Sequence, residues 1–520
     1  MTTTSSPSRY IPHGPAHPDL KTIRHHIHDA LLENVQRVHR HPSSNPKVYY
    51  GSAGEIIMDM RAFAALQNHT FPETPTSSLI AIPFHEPRHA NHISYLETSI
   101  GPATLVLVRQ LRLRQSPEST AHKHARRGKL DSEILEELEL QETWRSAADL
   151  IEDAVELATG ETLDDDGCDV LYGRAGLMYA LLLLRSELLV TVSYLAHAGK
   201  PGDKVVRAVE AMCSDENIQA LVDDIIRRGE LGAARYAQEL EGDERGKAPP
   251  LMWKWHDSWY LGAAHGIAGI LHVILHAPSN ALEPHWSKIL STVEWLLAIQ
   301  DPLGNWPSKA SLHMTYISGG AAAQPDSKRL GVDEEHDDAL VQWCHGAPGF
   351  LMLFSVLLRR ATFSPESCPL PDTLRTSIIA AMTRAGDLVY SRGLLRKGIG
   401  LCHGVAGSVY ALLAASDALD TPTYPHNSQE LQHDTQHHHW LLCAAHLADL
   451  ATGYQGLTQK GQMAVPERPY SLYEGIAGMC CAWSEVLMRL PNGSGGGNGR
   501  PDSERWRGGM PGFNDIALFA

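Results

Sequence analysis

Six copies of the spacing G-x-x-G that each open onto an apolar run recur along this 520-residue chain. The pairs are Gly51/Gly54, Gly173/Gly176, Gly266/Gly269, Gly346/Gly349, Gly404/Gly407 and Gly475/Gly478. The runs that follow, such as LMYALLLL, ILHVILHA, FLMLFSVLL and SVYALLAA, have no polar face, which suits helices buried nearly all round. Between them lie amphipathic stretches with helical spacing: DSEILEELELQETWRSAADLIEDAVELATG from Asp131, HWSKILSTVEWLLAIQ from His285 and TLRTSIIAAMTRAGDLVYSRGLL from Thr373. The alternation of outer helix, loop, glycine pair and inner helix is an internal repeat of helix pairs, and so predicts a solenoid or a closed ring. Closure is favoured, because an open array would leave part of the inner apolar surface wet. A further inner helix is expected in SIGPATLVLVRQLRLR, where the glycine pair is missing. The glycines predict a turn with positive φ and close approach of neighbouring backbones. Pro348 fits a first helical turn. If the inner helices run parallel, their N-termini gather at one end, where N–H groups and helix dipoles favour a thiolate or carboxylate.

Composition narrows the function. Hydrophobic residues make up 43% and charged residues 20%, the balance of a globular chain with ample core, and the net charge of −16 disfavours nucleic acid or an anionic membrane as partner. The opening MTTTSSPSRYIPHG offers no apolar stretch that could act as a secretion signal. The most apolar window, from Leu177, is interrupted by Arg185 and Glu187, so no transmembrane segment is expected. Eight cysteines, two of them adjacent at Cys480 and Cys481, do not form a disulfide framework; the expectation is a reduced, cytoplasmic protein.

Three of the glycine pairs carry chemistry. WCHGAPG places Cys344 and His345 before its glycines, LCHGVAG does the same with Cys402 and His403, and AAHG puts His265 at the matching place. Two cysteines and one histidine form a zinc set, and three protein ligands leave a fourth position open, as in catalytic sites. Which histidine would bind is left open by the spacing. The structural alternative is a pair of buried free cysteines beside helix-capping histidines. At GSAG and GRAG, tight helix packing accounts for most of the pattern.

Taken together, RYIP, YYGSAG, LYGRAGLMYALLLL, LMWKWHDSWYLGAAHGIAGI, WCHGAPG, LLRKGIGLCHGVAGSVYALL, RPYSLYEGIAG and MPGF resemble the lanthionine synthetase C-like family, in particular its eukaryotic, glutathione-using branch. The resemblance runs from near the start of the chain to its end. It implies an all-α fold, an α/α toroid of seven inner and seven outer helices, as one domain over residues 1–520. Pro-, Gly-, Ser- and His-rich stretches near 74–92, 310–335, 421–439 and 491–505 read as loop insertions.

The resemblance also implies a reaction: zinc-dependent Michael addition of the glutathione thiol to dehydroalanine or dehydrobutyrine in peptides or proteins, forming a thioether. It implies Zn2+ on Cys344, Cys402 and His403, with His345 left to packing or support. His265 takes the place of the family's acid/base histidine and Asp169 that of an acidic residue assisting it. Lys397 and Arg9 match family residues that contact glutathione, whose two carboxylates suit two cations. In the family an arginine early in the loop before SLYEG also contacts glutathione; Ala464 stands near its place here, and Arg468, slightly later, is taken as the third substrate-binding cation. A second expectation from a different class is an adaptor that binds zinc and glutathione, or another small ligand, without catalysis.

Overall fold

The computed structural model describes residues 8–15, 19–66, 87, 89–115, 131–160, 166–240, 246–310, 340–420, 438–490 and 508–518. Seven helices form the inner layer: Ser52–Ala65, Ile100–Arg114, Arg174–His197, Ile267–Ile274, Ala347–Phe363, Val405–Leu419 and Ile476–Arg489. Each packs against the next, and the seventh packs back on the first, so the ring closes. Six of the seven are preceded by an outer helix among the described residues: Leu20–His39, Asp131–Gly160, Asp215–Glu239, Trp286–Ala298, Asp372–Arg392 and His439–Thr452. This is the α/α toroid, and no strand occurs among the described residues. The expected insertions near 74–92, 310–335, 421–439 and 491–505 lie almost wholly outside the described residues.

The second glycine of every pair is needed for packing. A Cβ at Gly54, Gly176, Gly269, Gly407 or Gly478 would stand within 2.5 Å of the carbonyl oxygen six residues earlier, and at Gly349 within 2.8 Å of it. Gly101 meets the same constraint, 2.1 Å from Tyr95 O, which makes Ile100–Arg114 the expected seventh inner helix. There Thr98 replaces the first glycine and donates its hydroxyl to Ser94 O at 2.6 Å. The expectation of positive φ at the first glycines is corrected. Five of the six are extended, with φ between −101° and −128°, and Gly346 alone has φ +102°. Close approach is therefore the common reason for glycine, and left-handed backbone is peculiar to the turn after Cys344.

One inner helix, Arg174–His197, is long and apolar enough to cross a membrane by length and composition, yet it is mostly buried within the ring. Its charges are engaged: Arg185 donates to Cys213 O at 2.9 Å and pairs with Asp215 at 2.7 Å, while Glu187 accepts from Arg112 at 2.7 Å. Inner and outer layers are joined by a buried carboxylate, Asp224, which takes Arg174 at 2.9 Å and Arg228 at 2.7 Å.

Residues 508–518 enter the ring. Phe513 is fully buried, stacked on His272 at 4.1 Å and edge-on to Trp343 at 5.1 Å. Asp515 accepts from Arg61 at 2.6 Å and from the Tyr179 hydroxyl at 2.5 Å, and Tyr473 donates its hydroxyl to Pro511 O at 2.8 Å. Side chains from several repeats thus seal the axis beneath the inner-helix starts.

Candidate metal centre at the mouth of the ring

The loops entering the inner helices are stitched into a belt. The residues two before each first-glycine position are Tyr49, Leu96, Leu171, Ala264, Cys344, Cys402 and Tyr473, and all are buried. Backbone N–H groups within this set donate to the neighbouring repeat: Tyr49 to Leu96 O (3.0 Å), Tyr473 to Tyr49 O (3.0 Å), Cys402 to Tyr473 O (2.8 Å), Cys344 to Cys402 O (3.2 Å) and Leu171 to Ala264 O (3.3 Å). One residue later stand Tyr50, Glu97, Tyr172, His265, His345, His403 and Glu474; Glu97 is buried and the rest are half-buried. The step in burial between adjacent residues shows that the turns leading into the helices put the first set into the core and the second toward the open mouth.

This register explains how two distant triplets make one cluster. Cys344 and Cys402 are hydrogen-bonded neighbours in the belt, and His403 follows on the mouth side. Their ligand atoms lie within 4.8 Å of one another, the one such cluster of three or more His, Cys, Asp or Glu among the described residues, and His345 is not part of it. The donor set fits zinc: two sulfurs and one imidazole nitrogen, with room for a fourth ligand. Cys344 is pulled below the ordinary thiol range by a hydrogen bond from Cys402, helped by the Lys397 cation and by Gln342, whose Nε2 donates to the sulfur at 3.3 Å. The same bond holds the Cys402 proton and pushes that thiol well up. Of the two sulfurs, Cys344 thus gives up its proton the more readily, which suits it to meet a cation.

Beside the pair lies a pocket of about 340 Å³ lined by Ser8, Arg9, Val341, Gln342, Leu395, Arg396 and Lys397. Arg9 reaches it because the N-terminal segment is laid along residues 394–396: Ile11 N donates to Leu394 O at 2.8 Å and Arg396 N to Arg9 O at 2.9 Å. Arg468 is not among the lining residues. Its guanidinium sits over the Tyr50 ring at 3.9 Å and 3.8 Å from Glu474, at the repeat next to Cys402 in the belt. Ala464 N donates to Arg396 O at 2.7 Å, so its loop runs alongside the pocket without adding a cation.

On the other flank, His265 Nδ1 donates to Asp169 Oδ2 at 2.8 Å, and the same oxygen accepts from Tyr172 N at 3.2 Å. A carboxylate at Nδ1 fixes the proton there, which leaves Nε2 as the working nitrogen. The Asp169 side chain is 2% exposed and that of His265 is 12% exposed, so a buried acid carries a reachable base. Tyr260 links this dyad to the cysteine repeats, its ring 5.9 Å from His265 and 5.6 Å from His345.

The structure therefore brings Cys344, Cys402 and His403 together, joins His265 to Asp169, and sets Arg9 beside Lys397. The mouth residues Tyr50, Glu97, Tyr172 and Glu474 are not marked as site residues by motif reading, although each precedes a first-glycine position by one residue and is findable by that register. Tyr49, whose phenol neighbours Cys402 and is pushed well up by burial, was findable by the same count.

Comparison with known proteins adds two relatives. The chain is similar to a protein named Glutathione S-transferase LANCL1 from Danio rerio, 25% identical over 321 residues, or 62% of this chain and 59% of the relative. It is also similar to LanC-like protein GCL1 from Arabidopsis thaliana, 27% identical over 320 residues, or 61% of this chain and 55% of the relative. The matched part thus spans less than two thirds of each relative. The family description "Lanthionine synthetase C-like protein" matches residues 42–488, and the chain belongs to that family.

Proposed function

We propose that this protein is a zinc-dependent thiol-adding enzyme that joins glutathione, through sulfur, to dehydroalanine or dehydrobutyrine residues of peptides or proteins. One observation carries the reading most: a Cys–Cys–His cluster within 4.8 Å lies between a pocket bearing Arg9 and Lys397 and a loop set bearing the His265–Asp169 pair. Zinc held by Cys344, Cys402 and His403 would supply an open position for a sulfur and lower its pKa.

The chain's own groups do the rest. Arg9 and Lys397 hold the carboxylates of the tripeptide, so its thiol enters between the pocket and the mouth. In the addition, a sulfur lone pair forms the C–S bond at the β-carbon of the alkene, and the π electrons move onto the α-carbon and its carbonyl. His265 Nε2 takes up the proton that the glutathione thiol gives up and returns it to the α-carbon, while Asp169 holds the Nδ1 proton and stabilises the imidazolium formed in between. Ring closure and the seal formed by residues 508–518 keep the cysteine pair dry beneath an open mouth. The same reading takes the chain as one toroid domain with surface insertions, working in the cytoplasm, where thiols stay reduced.

The test is incubation of the purified protein with glutathione and a dehydroalanine peptide, with and without a chelator, read by intact mass. The expected result is addition of one glutathione per dehydroalanine, lost on chelation and restored by zinc. A protein that binds zinc and glutathione but modifies none of several dehydroamino-acid peptides would instead be the non-catalytic adaptor.

A further inference from the structure

His265 is held by more than its carboxylate. The indole of Trp255 covers one face of the imidazole, with ring centroids 3.7 Å apart and planes within 15°. Tyr172 lies nearly parallel to both rings, 6.0 Å from His265 and 6.2 Å from Trp255. The titratable groups around the imidazole are Asp169 at Nδ1, Tyr172 and Tyr260, with His256 edge-on to Trp255 at 4.1 Å and His92 stacked on Tyr172 at 5.6 Å.

Trp255 is presented by a tight hairpin. Its N–H donates to Ser258 O at 3.0 Å and Ser258 N returns a bond to Trp255 O at 3.1 Å. The two central residues, His256 at φ +44° and Asp257 at φ +59°, are the only non-glycine residues with positive φ among the described residues. Left-handed backbone at two consecutive side-chain-bearing residues is unfavourable and persists where the surroundings fix it. Here the turn sets an indole flat against the one imidazole of the mouth that has a buried carboxylate behind it.

We infer that Trp255 is a positioning residue for the addition, holding the His265 ring plane so that Nε2 faces the bound alkene. This rests on the proton-delivering role assigned to His265 above. With Asp169 fixing rotation about one axis and Trp255 fixing the plane, the imidazole cannot tilt away from the mouth. A small misplacement of a reacting group costs up to about 100-fold in rate.

The experiment measures single-turnover addition, zinc content and glutathione affinity for wild type, Trp255→Leu, Trp255→Phe, His265→Ala and the Trp255→Leu/His265→Ala double variant. Trp255→Leu should lose about 10- to 100-fold in rate with zinc and glutathione affinity unchanged, and Trp255→Phe should keep most of the rate. The double variant should be no slower than His265→Ala alone, because Trp255 acts through that ring. Independent losses that multiply in the double variant, or Trp255→Leu at the wild-type rate, would overturn the inference. A second measurement does not need turnover: the rate of carbethoxylation of His265 by diethyl pyrocarbonate at one pH, mapped by mass. Trp255→Leu should speed it by uncovering one face of the ring, with Trp255→Phe between. A wild type inert toward all acceptors removes the proposed function, whereas an unchanged rate of His265 modification in both Trp255 variants removes this inference.

Discussion

His265 and His272 stand seven residues apart on one repeat, and their surroundings are opposite. His265 sits at the mouth, half-buried, with Asp169 at 2.8 Å. His272 lies two helical turns down the axis, fully buried, its Nε2–H donating to Phe513 O at 3.3 Å, and burial pulls its pKa down to about 3. The cysteines divide in the same way. All eight are buried and free. Burial pushes Cys168, Cys213, Cys443 and Cys481 up to about 12, while Cys344 alone is pulled down, by its bond from Cys402. Residue type does not mark a reactive group in this ring. Position in the belt does, because it decides which partners the side chain meets.

The largest expected effect falls between the two histidines. A Cβ at Gly269 would lie 1.8 Å from Ala263 O, so Gly269→Ala forces the inner helix away from its own entry loop. The expected loss is about 3 kcal/mol, read by urea denaturation or by the disappearance of soluble protein. Near-wild-type stability would break the claim that close approach is what the repeat requires.

Next in size is the contrast between cysteines. Cys344→Ala should abolish stoichiometric zinc while leaving helicity intact, since its role in the belt is carried by backbone. Cys481→Ala, equally buried, should keep the metal and cost roughly 1 kcal/mol of packing. Elemental analysis and circular dichroism on both proteins decide the point; loss of metal in both would mean that the core, and not the belt position, governs the site.

The smallest effect is the acid sensitivity of the interior. His272 has a folded pKa of about 3 against an unfolded value of 6.5, so between those values the unfolded chain binds a proton that the folded chain refuses. Its contribution is constant above pH 6.5 and costs stability as pH falls below that, about 2 kcal/mol by pH 5. His272→Gln should flatten the dependence of the urea midpoint between pH 7.5 and 5 by that amount. An unchanged slope would show that His272 is not the buried neutral group described.

Much of this molecule was legible in its sequence. The glycine spacing and continuous apolar runs announce parallel inner helices, and the family resemblance supplies the number seven. Gly101 kept only half of the signal, because Thr98 satisfies its position with a hydroxyl bond in place of glycine. The Cys-His-Gly triplets pointed to zinc but left the choice of histidine open, since both histidines hold the same register and only the placement of His403 beside the two sulfurs decides between them. Positive φ was expected at each first glycine and is found at Gly346, where the chain turns after Cys344. Trp255 lies in a stretch that carries the resemblance, but nothing there marks it as a site residue. It precedes His265 by ten residues, and only a hairpin that includes His256 and Asp257 folds it back over the imidazole.

The central claim is a division of labour at the mouth, with the sulfur placed by the Cys344–Cys402–His403 side and the proton delivered by His265. Single-turnover addition of glutathione to a dehydroalanine peptide by His265→Ala, with zinc content and glutathione affinity measured on the same preparation, tests it most directly. The account predicts full zinc, near-wild-type glutathione affinity and a rate lower by about 10²–10⁴-fold. A His265→Ala protein that turns over at the wild-type rate, or that loses its zinc together with its activity, would contradict it.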